Sequence, residues 1–188
     1  MSLRKVNLSG HCHAIDSLLM HLCKNCEFLE EVTIMNCSSI TCIGIASANR
    51  ERPTLKSISI TWRSIKPRYN NINSHFIDLL VSLKGLTCLD LSSSCIPDEL
   101  LSSIAIGGLP LRRLVLHNCT GYSYLLDVRE CDYISDEGVI QVLRRCCKIR
   151  HLNLAGCLGV NLCAMNFDVS KLEVLSLSHT RVDDKYSM

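Results

Sequence analysis

Two cysteines near the amino terminus have the spacing of a metal or redox site. Cys23 and Cys26 are separated by two residues, and His11 and His13 lie upstream of them. Thiolates and imidazoles at such spacings bind zinc, and a Cys-x-x-Cys pair can also cycle between dithiol and disulfide. A structural zinc ribbon needs a second pair of this kind, which the sequence lacks. We therefore expect no metal and no other cofactor.

Catalytic signatures are also missing from the sequence. It contains no Gly-x-Ser-x-Gly, no P-loop, no His-Glu-x-x-His and no Gly-x-Gly-x-x-Gly. These motifs position nucleophiles, phosphates, zinc ions or dinucleotides in many enzymes. The histidines, serines and acids that remain are scattered along the chain. We predict that the chain is not an enzyme.

The composition favours one folded domain in a reducing compartment. The chain has 188 residues, a hydrophobic fraction of 47% and a net charge of +2, from 20 basic and 18 acidic residues. This apolar content favours a packed core over disorder. The balanced charge gives no reason to expect nucleic acid or a membrane as a partner. An odd count of 13 cysteines with no apolar leader argues against a secreted disulfide framework. We expect the protein in the cytoplasm or nucleus.

An internal repeat predicts the elements that position any functional residue. The pattern of segment 29–37, Leu-x-x-Val-x-Ile-x-x-Cys, recurs at 111–119 and 149–157. We define the third apolar residue of each copy as its anchor. Successive anchors are 26, 26, 31, 25, 12, 26 and 23 residues apart, and most of these spacings lie in the range of leucine-rich repeats. The anchors are Leu8, Ile34, Ile60, Leu91, Leu116, Val128, Leu154 and Leu177.

Each position of the repeat has a physical reason. Apolar residues that flank one polar residue predict a short strand with a single buried face. A small, weakly polar side chain packs well where the chain then turns inward, three places after the anchor. Ser135 or Asp136 is the expected N-cap of the helix that follows in the best copy. The cysteines at the inward turn are Cys37, Cys119, Cys131 and Cys157.

Stacked units of this kind bury a continuous core between an inner parallel sheet and an outer row of helices. We predict an α/β leucine-rich-repeat solenoid of about eight repeats, with residues 1–188 forming a single domain that is truncated at both ends. In the first helix, three- and four-residue steps predict a buried stripe. Its members are Ile15, Leu18, Leu19 and Leu22.

The strand–Cys–x–x–Ile–Ser–Asp–x–Gly–helix–Cys order of residues 126–149 resembles the cysteine-containing leucine-rich repeats of F-box proteins. Cys26 and Cys146, each eight residues before an anchor, match the second cysteine of that pattern. Over essentially all 188 residues the chain is similar to plant F-box leucine-rich-repeat proteins. In that family the repeats are the substrate receptor of an SCF-type E3 ubiquitin ligase, and the F-box binds a Skp1-type adaptor.

This sequence departs from the family because no F-box precedes the first repeat, which begins at Leu3. The resemblance therefore implies a protein-interaction module, with a protein substrate or target as its partner. It implies a Skp1-type adaptor only if an F-box lies outside this chain. The alternative is a stand-alone repeat scaffold or inhibitor that is unrelated to ubiquitin ligation.

Two irregular spacings interrupt the array. The 31-residue spacing carries an insertion in which Arg63 replaces the inward-turning cysteine and Trp62 stands beside it. Aromatic and arginine side chains are frequent interface anchors, so the insertion is either a recognition loop or an ordinary loop with a packed tryptophan. The 12-residue spacing between Leu116 and Val128 leaves no room for a helix. It indicates a repeat without a helix, or an error in the gene model.

The outward positions of the strands form the predicted concave face, because successive side chains of a strand point to opposite sides. Histidines and arginines gather there in the later repeats, beside two acids. They form either a docking patch for a protein or small anion, or a solvated sheet surface. With the insertion, the candidate binding residues are Trp62, Arg63, Asp90, Arg113, His117, Asp127, Arg129 and His151.

Overall fold

Short parallel strands and intervening helices make up the chain in the computed structural model. It describes residues 2–11, 15–37, 39–61, 74–94, 96–119, 134–161 and 171–180. Within them the strands are β1 (Lys5–Asn7), β2 (Glu31–Ile34), β3 (Ser57–Ile60), β4 (Cys88–Asp90), β5 (Arg113–Val115), β6 (His151–Asn153) and β7 (Val174–Ser176). The helices are α1 (Asp16–Asn25), α2 (Cys42–Glu51), α3 (Ser74–Ser82), α4 (Asp98–Gly107) and α5 (Asp136–Arg145).

The strands form one parallel sheet whose order is the chain order, β1 to β7. Each described helix follows one strand, and α1 to α4 each pack against the next helix along the chain. This arrangement confirms the predicted solenoid. None of the helices in the described ranges is long and apolar enough to cross a membrane.

The core lies between the sheet and the helices. Successive side chains of a strand point to opposite faces. The central residue of each inner strand points into the core, and its neighbours on either side point outward. These central residues are at most 3% exposed. They are Val32, Ile58, Leu89, Leu114 and Leu152. The one-sided burial that the sequence pattern predicts is therefore present in β2, β3, β4 and β6, whereas in β5 the outward-facing Val115 is also buried, at 5% exposed.

The structure corrects one predicted unit. Strand β5 pairs directly with β6, with Arg113 opposite His151. This pairing leaves no place between them for the strand expected around Val128. Helix α5 lies between β5 and β6 in the chain, so the described unit that begins at β5 has a helix, and the expected repeat without a helix was wrong. Residues 120–133, which include Val128 and Cys131, lie outside the described residues.

The stripe expected on α1 was also partly wrong. Leu19 and Cys23 are fully buried, whereas Ile15 is 51% and Leu18 is 41% exposed. Cys23 is four residues after Leu19, on the same side of the helix, and it completes the buried face. The Cys23–Cys26 pair therefore belongs to the core, where Cys26 is 1% exposed.

Where the turn after a strand is described, it has one residue with a left-handed backbone, two places after the anchor. Glycine and asparagine adopt this conformation more readily than other residues. At Gly156 a second constraint applies, since an added Cβ would meet the Oδ1 atom of Asn118 in the preceding unit. The described residues at this position all have positive φ: Gly10 (75°), Asn36 (58°), Ser93 (57°), Asn118 (53°), Gly156 (73°) and His179 (58°).

The inward-turning cysteines join consecutive units. The Cys37 thiol donates to the carbonyl oxygen of Leu8 at 2.7 Å. Cys119 and Cys157 donate in the same way to Leu91 and Leu116, each at 2.9 Å. In every case the acceptor is the anchor of the preceding described unit. The predicted inward position is confirmed for these three cysteines, and each one also bridges to its neighbouring unit.

A second bridge lies at the amino-terminal ends of the helices. The carboxylate of Asp16 on α1 accepts from the Thr41 N–H at 2.8 Å and from the Thr41 hydroxyl at 2.7 Å. Thr41 is the N-cap of α2 and accepts from the Gly44 N–H at 3.0 Å. A Cβ at position 44 would meet the Asp16 carboxylate. Glycine is therefore required in the first turn of α2 by a side chain of the preceding unit.

The same contact recurs at α4 and α5. The N–H of Ser135 donates to Asp98 at 3.2 Å, and the Ser135 hydroxyl accepts from the Gly138 N–H at 3.1 Å. Ser135 is thus the N-cap, as the sequence predicts. Asp136 in turn accepts from the N–H of Asn161 at 2.7 Å. Burial raises the pKa of Asp136 above its usual value, and this hydrogen bond opposes the rise.

We predict that Gly44→Ala destabilises the protein. In most helices this change is stabilising by roughly 1 kcal/mol, because alanine has the higher helix propensity. Here the new Cβ displaces the Asp16 carboxylate from both hydrogen bonds to Thr41, which should lower the free energy of unfolding by about 1 to 3 kcal/mol. Urea denaturation measures this change. In an Asp16→Ala background the same substitution should become stabilising; a stabilising effect in the wild-type background would contradict the proposed contact.

We also predict that the protein loses stability in alkali. Burial raises the pKa of Cys23, Cys146 and Cys157 to about 11 and that of Cys42 to about 12. Unfolded thiols ionise near pH 8.5, so the unfolded state releases protons that the folded state retains. The free energy of unfolding should therefore fall as pH rises from about 8 to about 11. Urea titrations across this range test it. Cys157→Ala should flatten the slope, and an unchanged slope would argue against buried thiols as its cause.

Candidate protein-binding face

The side of the sheet that the helices leave uncovered carries two rows of side chains, one on each side of the buried central residues. We call this surface the open sheet face; it is the face that the sequence predicts to be concave. The first row is Lys5, Glu31, Ser57, Cys88, Arg113, His151 and Val174, in the order of their pairing. The second row is Asn7, Thr33, Ser59, Asp90, Val115, Asn153 and Ser176.

In the first three units the charges on this side pair with one another. Lys5 Nζ lies 2.9 Å from Glu31 Oε1. Just before the strands, Glu30 contacts Lys56 at 2.7 Å and Arg4 at 3.3 Å. The hydrogen bond from Lys56 lowers the pKa of Glu30, and the charges of Lys56 and Arg4 add to the effect. In this half of the face, each of these three cations therefore lies within 3.3 Å of an acid.

The later units have more positive than negative groups. Arg112 and Arg113 precede and begin β5, and both are exposed. Neither forms an ion pair with any described residue. Arg150 Nε and His151 Nε2 share one acid, Glu173, at 3.9 and 3.7 Å. These distances exceed those of hydrogen bonds, so this half keeps a net positive surface among the described side chains.

The structure brings some predicted site residues together. Arg113 and His151 are register partners on β5 and β6. His117 follows β5 in the turn, where the Asn118 side-chain nitrogen lies 3.1 Å from its Nε2 atom. The remaining predictions fall outside the described residues: Trp62, Arg63, Asp127 and Arg129.

Asp90 has a structural contact at this face. Its Oδ1 atom accepts from the Ser92 N–H at 3.0 Å and from the Ser92 hydroxyl at 2.6 Å, which closes the turn after β4. Asn7 and Asn153 occupy the same row and accept from the N–H two residues later, each at 2.9 Å. Asp90 is thus one of a series of turn-closing residues.

Residues just before the strands were missed by the sequence analysis. Arg112, Arg150 and Glu173 form a row one residue before the first row of the face, as the hydrogen bonds Arg150 N–H to Arg112 O (2.9 Å) and Glu173 N–H to Arg150 O (2.8 Å) show. The signal was present in the repeat, because two polar positions separate its first two apolar residues. Only the positions that flank the strand centre were considered.

Comparison with known proteins agrees with the architecture. No protein-family model matches the chain, and no curated protein matches its sequence. Among solved structures, the chain is similar to a chain of the crystal structure of the Rad7 and Elc1 complex in yeast, with a TM-score of 0.60 and 22% identity. The similarity covers 94% of this chain and 50% of that chain, so this chain spans half its length.

Strand, inward turn and helix repeat along the chain, and the solved structure shares their arrangement. The fold is a leucine-rich-repeat solenoid. In such an array each unit contacts only its neighbours, and the sheet becomes an extended, regularly spaced surface.

We predict that the charge of Asp90 matters little to stability, whereas its acceptor atom matters. Asp90→Ala should cost about 1 kcal/mol, because the Ser92 N–H loses its partner. Asp90→Asn should change the free energy of unfolding by less than about 0.5 kcal/mol, since asparagine closes the same turn at Asn7 and Asn153. Urea denaturation of both variants measures the difference. Equal losses in the two variants would show instead that the negative charge is required.

Proposed function

We propose that this chain is a protein-recognition module without catalytic activity, and that its open sheet face binds the partner. The observation that carries the proposal is the uncovered sheet of seven described strands, whose side chains lie in register from unit to unit. Main-chain and thiol hydrogen bonds hold the units together, so the face is preorganised for binding. Preorganisation favours affinity because little conformational entropy remains to be lost.

The partner that we propose is a protein substrate of an SCF-type E3 ubiquitin ligase, with this chain as part of the substrate-recognition region. The cysteine-containing repeats and their resemblance to F-box leucine-rich-repeat proteins support this proposal. The similar solved structure is a complex of two proteins, which agrees with a protein partner. Contact with a Skp1-type adaptor requires an F-box outside this chain. Thiols outside any disulfide, such as those of Cys37, Cys146 and Cys157, suit the cytoplasm or nucleus, the reducing compartments that we propose.

Matched substitutions test the use of the open sheet face. We predict that Ser59→Arg, in the middle of the face, abolishes capture of the partner from an extract of the native organism, because a long charged side chain blocks the surface. Ser103→Arg on α4 is the control, since Ser103 is also half-buried and the introduced side chain is the same. Quantitative mass spectrometry of the captured proteins is the readout, and circular dichroism checks that both variants fold.

Equal capture by both variants, or equal loss, would show that the open sheet face is not the binding surface. The ligase assignment has its own readout, which is the abundance of the captured partner in cells. A substrate should accumulate when the protein is depleted. Unchanged abundance would favour the stand-alone scaffold or inhibitor.

A further inference from the structure

We propose that the later part of the open sheet face binds an acidic segment of the protein partner. This inference rests on the proposed function and adds the chemistry of the ligand. We call the surface formed by Arg112, Arg113, Arg150 and His151 the basic patch. Its first argument is the contrast between the two halves of the face. Acids contact the cations of the first units at 2.7 to 3.3 Å, whereas Glu173 is the described acid beside the basic patch, at 3.7 and 3.9 Å.

The second argument is the spacing of the cations. The main chain of Arg112 accepts from the N–H groups of Arg150 and His151 at 2.9 and 3.0 Å. Neighbouring strands are about 4.8 Å apart, so the basic side chains start from adjacent, fixed positions. Arginine offers a planar fork of donors that matches a carboxylate. A peptide that runs across β5 and β6 therefore meets several of these donors with neighbouring acidic side chains.

The third argument concerns the rigidity of the strands that carry the basic patch. Leu114 and Leu152, the central residues of β5 and β6, are each 1% exposed. The strands that carry the cations are thus anchored in the core. Exposed arginines lose side-chain entropy on binding, but the strand backbone that carries them is already ordered and loses little conformational entropy. This difference favours a patch that selects for charge spacing as well as for charge.

Nucleic acid fits the described surface less well. Proteins that bind single strands combine a basic groove with aromatic side chains for base stacking. The two rows of the open sheet face contain neither phenylalanine, tyrosine nor tryptophan. In the first units, Glu30 and Glu31 pair with the cations. The described positive surface is therefore short, which suits a brief acidic stretch of a protein.

Fluorescence anisotropy of the full chain with a fluorescein-labelled peptide of alternating Glu and Ser tests the proposal. The matched uncharged probe is a peptide of alternating Gln and Ser. We expect the Glu–Ser peptide to bind, with weaker affinity at higher ionic strength because the contacts are exposed. Absence of binding at low ionic strength, or equal binding of both peptides, would overturn the inference.

Charge-matched variants locate the binding site. The double change R112E/R113E should weaken peptide binding by about tenfold or more, because charge-assisted hydrogen bonds become repulsions. The control R144E/R145E changes the net charge equally on exposed residues of α5 and should leave the affinity within about twofold. Glu173→Gln should strengthen binding by about two- to fivefold, since it releases Arg150 and His151. A loss in the control equal to that in R112E/R113E, or weaker binding in Glu173→Gln, would contradict the location.

Cys88 provides a footprint inside the chain. It is half-buried on the open sheet face, where its backbone pairs with that of Arg113. The exposed Cys147, just beyond the end of α5, is the internal reference. The bound Glu–Ser peptide should slow alkylation of Cys88 and leave that of Cys147 unchanged, as read by mass spectrometry. Equal rates at Cys88 with and without peptide would place the peptide elsewhere and overturn the assignment.

Competition experiments separate this inference from the proposed function. The Glu–Ser peptide should displace a partner whose capture depends on Ser59. If that partner is captured but not displaced, the proposed function stands and the acidic-segment inference fails. A single-stranded RNA of the same length that binds more tightly would identify a nucleic-acid surface. Displacement of the peptide by equimolar inorganic phosphate would identify a small-anion site, and either outcome would overturn the inference.

Discussion

At three described junctions, one anchor carbonyl oxygen connects a unit to the next. The anchor carbonyl of Leu116 accepts from the Cys119 N–H of its own turn at 3.0 Å and from the Cys157 thiol of the next unit at 2.9 Å. Leu91 has the same two kinds of donor, from Ser94 and Cys119. A thiol is a weak donor, but an unpaired buried carbonyl is costly. The cysteine therefore satisfies the oxygen and fills the space inside the turn.

At the opposite end, two helix pairs have an acidic equivalent of this contact. Asp16 and Asp98 reach from the start of one helix to the N-cap of the next, at Thr41 and Ser135. Thiols thus tie the turns after the strands, and carboxylates tie the starts of the helices. Between these two sets of contacts a unit has little freedom to rotate against its neighbour. The rows on the open sheet face, and the binding surface proposed there, depend on that constraint.

Much of the fold could be predicted because the same pattern of apolar and polar residues recurs in most units. Leu8 and Leu154 directly follow a strand and Ile34 ends one, at the predicted places, since two apolar residues around one polar residue specify a one-sided strand. The pattern failed around Val128, where a local match could not reveal that β5 pairs with β6. Sheet pairing joins residues that are far apart in the sequence. The spacing of anchors predicts which strands pair only when the units have similar lengths.

The surface was harder to predict than the core. Arg113 and His151 were assigned to the face because alternation alone places them there, and the register confirms that they are neighbours. The structural contact of Asp90 with Ser92 could not be foreseen from residue type, since an acid serves equally as a ligand or as a turn acceptor. Arg112 and Arg150 were overlooked because they stand outside the alternating pattern.

The bridging contacts also affect how such a protein can change over evolutionary time. Units with the inward-turning cysteine contribute it as donor, and their anchor carbonyl serves as acceptor. A tandem duplication of such a unit would therefore bring a donor next to an acceptor at the new junction. Gene segments that encode units of this kind are interchangeable in this respect. Their number can then vary between descendants while the junctions between them retain the same bond.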